Sequence, residues 1–152
     1  MKLNLGSGND PKEGFVNVDF LDLPEVDYIY NLMDFPYPWD DSSVDEIHAV
    51  DVLEHLDNYT KNGSPTYLTF IEECHRMLKP KGKLFIQTPS WDSPLLWIDI
   101  THVRGFDLQS FDFFDPDTEF GKTRDFYSTA RFKITKKHRN DNGVLQFEMV
   151  KR

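Results

Sequence analysis

The chain has 152 residues, 39% hydrophobic and 14% aromatic, with one cysteine and a formal net charge of −9. That is enough apolar material for a single folded domain over residues 1–152 and too much for a disordered chain; no apolar run approaches the ~20 residues of a membrane span, and a lone Cys74 excludes an internal disulfide framework. Residues 1–60 carry 2 basic and 14 acidic side chains, a net −12, which argues against nucleic acid as a partner; with no signal-like segment at the N-terminus, the expected location is cytoplasmic.

In chain order, Lys2 to Leu5 reads as a short buried strand, Asn9 to Gly14 as turn chemistry, and Phe15 to Asp19 as a second strand. Asp27 to Leu32 is a third. A proline-rich loop over Phe35 to Trp39 and a polar turn over Asp40 to Ser43 precede a strand at Glu46 to Val50. Val52 to Leu56 starts a short helix. The strongest helix is Pro65 to Leu78, with Ser64 as N-cap and Pro65 at the first helical position; Tyr67, Phe70, Ile71, Cys74, Met77 and Leu78 form its apolar face. Lys79-Pro80 ends it, and Lys83 to Thr88 is the next strand. Residues 89–128 are irregular and aromatic-rich, with a short helix at Leu108 to Phe114. Two closing strands, Ala130 to Lys136 and Val144 to Val150, meet through Asn140 to Gly143, a hairpin signal. The basic run Lys133 to Arg139 is expected to be a solvated strand end. The pattern is α/β, mostly parallel, with an antiparallel C-terminal hairpin. Ligands on such sheets sit at the carboxyl ends of the strands, where Gly6-Ser7-Gly8, Asp19, Asp34 and Val50-Asp51 all fall.

Gly6 and Gly8 let backbone approach a ligand without a Cβ in the way. A dinucleotide fingerprint needs glycine at position 11, where Pro11 stands, and no long helix follows to receive a pyrophosphate. A nicotinamide enzyme is therefore disfavoured, and a nucleoside ligand without a diphosphate fits better. Asp19, at the tip of the second strand, is the candidate acceptor for a ribose diol. Between the first two strands, Asn9 to Phe15 is shorter than a parallel crossover needs. Pro11 and Gly14 oppose a helix there, so a bare loop or single turn is expected. It would leave a patch of sheet to be covered by the 89–128 segment or by a second copy in a homodimer.

Taken in order, Leu3 to Gly8, Val16 to Asp19, Tyr37 to Ile47, Val52 to Leu56 and Met77 to Leu84 resemble the class I S-adenosylmethionine-dependent methyltransferases. The closer resemblance is to a small bacterial group that opens Leu-Asn-Leu-Gly-Ser/Cys-Gly and runs directly into Val-Asn-Val-Asp. It covers residues 2–90 and continues more weakly through Asp99 to Phe106. It implies a Rossmann-like seven-stranded sheet, with the first crossover helix reduced or absent, and S-adenosylmethionine as cofactor. Gly6, Ser7 and Gly8 would run along the methionine part, Asp19 would hold the ribose hydroxyls, Met33 and Asp34 would flank the adenine, Val50 would lie near the sulfonium, and Leu5 and Phe20 would be further cofactor contacts. Two departures stand out: Asn4 where many relatives have an acid, and Asp10 where many have a third glycine.

The implied activity is methyl transfer to a small-molecule acceptor at oxygen, for which a general base is useful. His102 is the first candidate, in the region where such enzymes build the acceptor pocket, with Asp51 and His55 behind it and Glu54 and Asp99 as further carboxylates. The rival reading is a non-catalytic module that holds the nucleoside without transferring a methyl group. Trp91, Trp97, Phe106, Phe111, Phe113 and Phe114 are expected to cover the sheet, or else to form a stacking wall for the acceptor. His48, His75, His102 and His138 show no ligand spacing with Cys74, so no metal site is expected.

Overall fold

A computed structural model describes all of residues 1–152. Seven strands, β1 (Lys2–Leu5), β2 (Val16–Asp19), β3 (Tyr28–Ile29), β4 (Val44–Val50), β5 (Leu78–Pro89), β6 (Phe132–Arg139) and β7 (Val144–Lys151), form one sheet in the order β3-β2-β1-β4-β5-β7-β6. The strands from β3 to β5 pair in parallel, and β7 runs antiparallel between β5 and β6. The order reverses direction between β1 and β4, and this is the crevice where open α/β sheets hold ligands.

The expected β1-to-β2 shortcut is present: residues 6–15 contain no helix. Side chains do the work that a helix would otherwise do. Asn17 Oδ1 accepts from Lys12 N at 2.7 Å and from Asn4 Nδ2 at 3.0 Å, and Asn4 Nδ2 also reaches Asp10 O at 3.2 Å. Asp27 Oδ2 in turn accepts from Asn17 N at 2.8 Å and Nδ2 at 3.0 Å. The loop's turns thus acquire fixed polar partners, which is the general requirement for backbone lying against a protein surface. Asn4, mostly buried, has a structural task here that its amide serves by donating; a carboxylate could not donate.

The long helix, α1 (Thr66–Met77), starts one residue later than its sequence suggests. Pro65 occupies the cap position with ψ 119°, and Ser64 instead donates its N–H to Thr60 Oγ1 at 3.1 Å. Phe70, Ile71, Cys74 and Met77 are fully buried against the sheet. The chain after α1 does not simply turn into the next strand. It joins the sheet at Leu78, opposite Val44, and bulges before Lys83 resumes opposite Glu46, with Lys81 at φ 66°. Two short helices, α2 (Pro94–Trp97) and α3 (Glu119–Thr123), and a 3₁₀ turn at Asp112–Phe114 punctuate the irregular region. The helix expected over Leu108 to Phe114 is reduced to that turn.

The 89–128 segment packs on the same face of the sheet as α1, not on the patch left by the missing helix. Phe106 faces Tyr67 of α1 at 6.4 Å between centroids and stacks on Phe111 at 5.7 Å, and Phe111 meets Phe147 of β7 at 4.7 Å. Phe106, Phe111 and Phe114 are core residues, whereas Trp91 and Trp97 are exposed. Alternation puts Ile47, Ala49, Leu84 and Ile86 in that core. The other face shows half-buried His48, Phe85, Gln87 and Gln146, with Phe15 edge-on to His48 at 4.8 Å. Its strands tolerate a single covering layer because their outward side chains, Phe85 apart, are polar. The basic run of β6 is matched by carboxylates: Lys133 by Asp117, Lys136 by Glu148, Lys137 by Asp112 and Arg139 by Asp92. It lies on an edge strand, where charge discourages further pairing.

Candidate active site

A cavity of about 490 Å³ opens at the carboxyl ends of β1, β2 and β4, lined by Gly6, Asp19 to Leu21, Tyr30 to Met33, Asp51, Val52, His55, Leu56 and Thr101. A second hollow of about 400 Å³ adjoins it across Gly6 and Asp51, and takes in Ser7, Lys12 and Val50. Volumes in this range suit a small ligand.

Glycine is required at position 6. Its φ is +69°, and a Cβ there would come within 2.3 Å of Val52 Cγ2. Gly6 and Ser7 both donate to Val18 O, at 2.8 and 3.0 Å, so the turn is fastened to β2 before it reaches Gly8. Gly8 N then donates to Asp19 Oδ2 at 2.9 Å, and Leu21 N to Asp19 Oδ1 at 3.0 Å. Two backbone donors hold this nearly buried carboxylate in place and leave lone pairs on both oxygens. Ser7 Oγ is buried with no hydrogen-bond partner.

The apolar wall over Tyr30 to Met33 is anchored from α1. Glu73 Oε2 accepts from Tyr37 N at 2.7 Å, and the Arg76 guanidinium donates to Trp39 O at 2.8 Å and Tyr37 O at 3.0 Å. Tyr37 Oη donates to Leu32 O at 2.9 Å, and Tyr30 Oη to Asp34 O at 2.6 Å.

At the far end of the cavity, β4 stops at Asp51, whose φ of 53° is left-handed. Such a conformation costs a non-glycine residue about 1–2 kcal/mol, least for Asp and Asn. It is held by Asp51 N donating to Gln87 O at 2.9 Å. The next turn, a 3₁₀ turn over Leu53–His55, buries Glu54 and points His55 into the cavity. Glu54 accepts from Thr88 Oγ1 at 2.9 Å. Desolvation pushes the Glu54 carboxyl up to about 7, against the lowering effect of its own backbone N–H and the Thr88 hydroxyl. Burial likewise raises Asp51, opposed by Gln87 and the two histidines, and lowers His55, helped by His102.

His102 comes in from the 89–128 segment. Its ring meets that of His55 at 4.4 Å and 73°, and its Nδ1 bonds Leu96 O at 2.8 Å. His55 Nδ1 bonds Thr101 Oγ1 at 2.8 Å, and that hydroxyl donates to Asp99 Oδ1 at 2.7 Å. Hydrogen bonds from the Thr101 N–H and hydroxyl hold Asp99 below the usual carboxylate range.

The structure therefore gathers Gly6, Asp19, Phe20, Met33, Asp51 and His55 around one cavity, with Ser7 and Val50 in the adjoining hollow. His102 reaches the cavity only through His55. Gly8 acts by orienting Asp19 rather than by lining the cavity. Leu5 is a fully buried strand residue. Asp34 is exposed and bonded to Lys61 Nζ at 2.7 Å, outside the lining. Tyr30, Asn31, Leu32 and Thr101 are additions. For Thr101 the available signal was Asp99-x-Thr101, an Asx turn in sequence.

A family model described as a methyltransferase domain matches residues 8–86. No curated protein sequence matches the chain. Among solved structures, a SAM-dependent methyltransferase from Archaeoglobus fulgidus superposes with a TM-score of 0.64 at 13% identity, covering 99% of this chain and 85% of its own. The Burkholderia thailandensis 1,6-didemethyltoxoflavin-N1-methyltransferase gives 0.61 at 15% identity, covering 99% of this chain and 70% of its own. Phosphoethanolamine N-methyltransferase 1 of Haemonchus contortus gives 0.68 at 12% identity, with 99% of this chain on 38% of that longer one. At these identities the likeness is one of fold.

Proposed function

The chain belongs to the methyltransferase-domain family, and on that premise we propose that it methylates a small-molecule acceptor at an oxygen placed beside Asp51, His55 and His102. The observation that carries the reading is that Asp51 and His55 line the same cavity as Gly6 and Asp19. Cofactor and acceptor thus have one continuous space between them.

S-adenosylmethionine supplies an activated methyl group, and its transfer to an acceptor hydroxyl yields the methyl ether, S-adenosylhomocysteine and the hydroxyl's proton. The residues suit that cofactor. Asp19 keeps lone pairs on both oxygens for a ribose diol, and Ser7 and Lys12 line the hollow that would receive a polar amino-acid tail. Leu32, Met33 and Leu21 offer an apolar slot for a flat base. No helix in the chain is long and apolar enough to cross a membrane.

The protein's part is alignment and proton removal. The bond from His102 Nδ1 to a carbonyl requires the proton on that nitrogen, leaving the lone pair on Nε2. Thr101 spends its own proton on Asp99, so it accepts from His55 Nδ1, and His55 too is left with its lone pair on Nε2. The imidazole lone pairs accept the acceptor's O–H, and the proton passes on to Asp51, whose proton affinity burial raises.

The test is to incubate the protein with S-adenosylmethionine and a panel of phenols, catechols and sugars, following S-adenosylhomocysteine release. Turnover with at least one oxygen acceptor, lost in Asp51→Asn, supports the reading. Cofactor binding without turnover on any acceptor would leave the non-catalytic module as the better description.

A further inference from the structure

Glu54, His55 and His102 each present a ligand atom within 4.8 Å of the other two. We propose that these three side chains bind a first-row divalent cation of the Zn²⁺ type, and that the acceptor oxygen binds to its open position. The inference rests on the acceptor lying at the histidine pair. It replaces the hydroxyl proton between those nitrogens with a metal ion.

Three observations support it. First, both tautomers are fixed in the form a metal needs. His102 donates Nδ1–H to Leu96 O, and His55 donates Nδ1–H to a hydroxyl whose own proton is committed to Asp99. A carbonyl or a carboxylate-backed hydroxyl behind the non-ligating nitrogen is the usual outer-shell support of a metal histidine. His102 Nε2 is left without a hydrogen-bond partner: Asp99 Oδ2, at 3.9 Å, is beyond hydrogen-bond reach.

Second, the site gathers carboxyl groups without a counter-charge. Glu54 is 1% exposed, and its one side-chain partner is the Thr88 hydroxyl. No lysine or arginine comes within the 4.0 Å ion-pair distance of Asp51, Glu54 or Asp99. A carboxylate buried in such surroundings stays ionised only beside a cation.

Third, the donor set is selective. Two imidazoles and one carboxylate suit Zn²⁺ and its first-row neighbours, whereas Mg²⁺ and Ca²⁺ favour all-oxygen sets. Three protein ligands leave a position open, as in metal sites that handle a substrate. That position faces the cavity, since His55 and the neighbouring Thr101 line it. The acceptor class that follows is one bearing an oxygen able to ligate a metal, such as a phenol or a vicinal diol.

The experiment titrates Zn²⁺ and Co²⁺ into tag-free, chelator-treated protein by calorimetry and, for Co²⁺, by visible absorption, alongside a separate titration with S-adenosylhomocysteine. One equivalent should bind, and the affinity should fall at least about tenfold in His55→Ala, His102→Ala and Glu54→Gln. Thr101→Val, which keeps all three ligands and removes only the group behind His55, should weaken binding by roughly tenfold. The exposed control His138→Ala should leave it unchanged. Retained S-adenosylhomocysteine binding shows that each variant is folded. Failure of the wild-type protein to bind either ion, or binding indifferent to all three ligand variants, overturns the metal site and leaves the methyltransferase reading standing. Metal binding in a protein that does not take S-adenosylhomocysteine would do the reverse.

Discussion

The two ends of the cavity are built by different means. At the cofactor end, backbone does the positioning: Gly6 and Ser7 hang from Val18 O, and Asp19 is held by two backbone N–H groups. At the acceptor end, side chains position one another across long stretches of sequence. His55 leans on Thr101, Glu54 on Thr88, and His102 on a carbonyl of α2. A site made of backbone is rigid and carries a glycine signature. A site made of side chains on a 3₁₀ turn and an irregular segment can be altered without disturbing the fold, which is where substrate choice can change.

The sharpest way to separate the two ends is Asp51→Asn. Asn tolerates the left-handed backbone, so the fold should persist, while turnover falls about 10²–10⁴-fold as expected for loss of a general base. Calorimetry with S-adenosylhomocysteine should show affinity within about threefold of wild type. A parallel collapse of affinity would mean that the ends are not separable. Next comes Gly6→Ala, where a positive φ and a clash with Val52 combine. Unfolding in urea should show a loss of about 2–4 kcal/mol, and a change under about 0.5 kcal/mol would show that the turn is not the rigid element described here. Asp19→Asn should weaken S-adenosylhomocysteine by roughly 10–100-fold, the scale of a lost charge-assisted hydrogen bond, with no shift in the pH profile of turnover. The smallest effect belongs to Asp34→Ala. Its exposed pairing with Lys61 predicts less than about twofold in cofactor affinity and under about 0.5 kcal/mol in stability; a tenfold loss would restore it to the adenine pocket.

The same division explains what could be read from the sequence. The strand set, the hairpin and the absent first helix were legible because periodicity, Asn-Gly and Pro11 act locally. Asp19 was legible because it ends the apolar strand that follows the glycine turn. The Asn4–Asn17–Asp27 knot was not, since its amides and carboxylate join β1, β2 and the residue before β3, and nothing local marks them. Nor was the grouping of Glu54, His55 and His102. Those residues meet because the 89–128 segment folds back over the end of β4, and that route follows from packing of Phe106 and Phe111 against Tyr67 and Phe147. Weighing histidines against Cys74 could not reveal it, because Cys74 is buried in the face of α1. The covering of the sheet was misplaced for a related reason: aromatic content predicts burial, not which face is buried.

The cavity between Gly6, Asp19 and Asp51 is shaped as a nucleoside site of the methyltransferase type. Calorimetric titration of S-adenosylhomocysteine into the tag-free chain tests it most directly. The structure predicts one site per chain with Kd below about 100 μM, roughly −5.5 kcal/mol, weakened by Asp19→Asn and untouched by Asp34→Ala. No detectable binding at about 1 mM ligand, near −4 kcal/mol, or binding unaffected by Asp19→Asn, would contradict it.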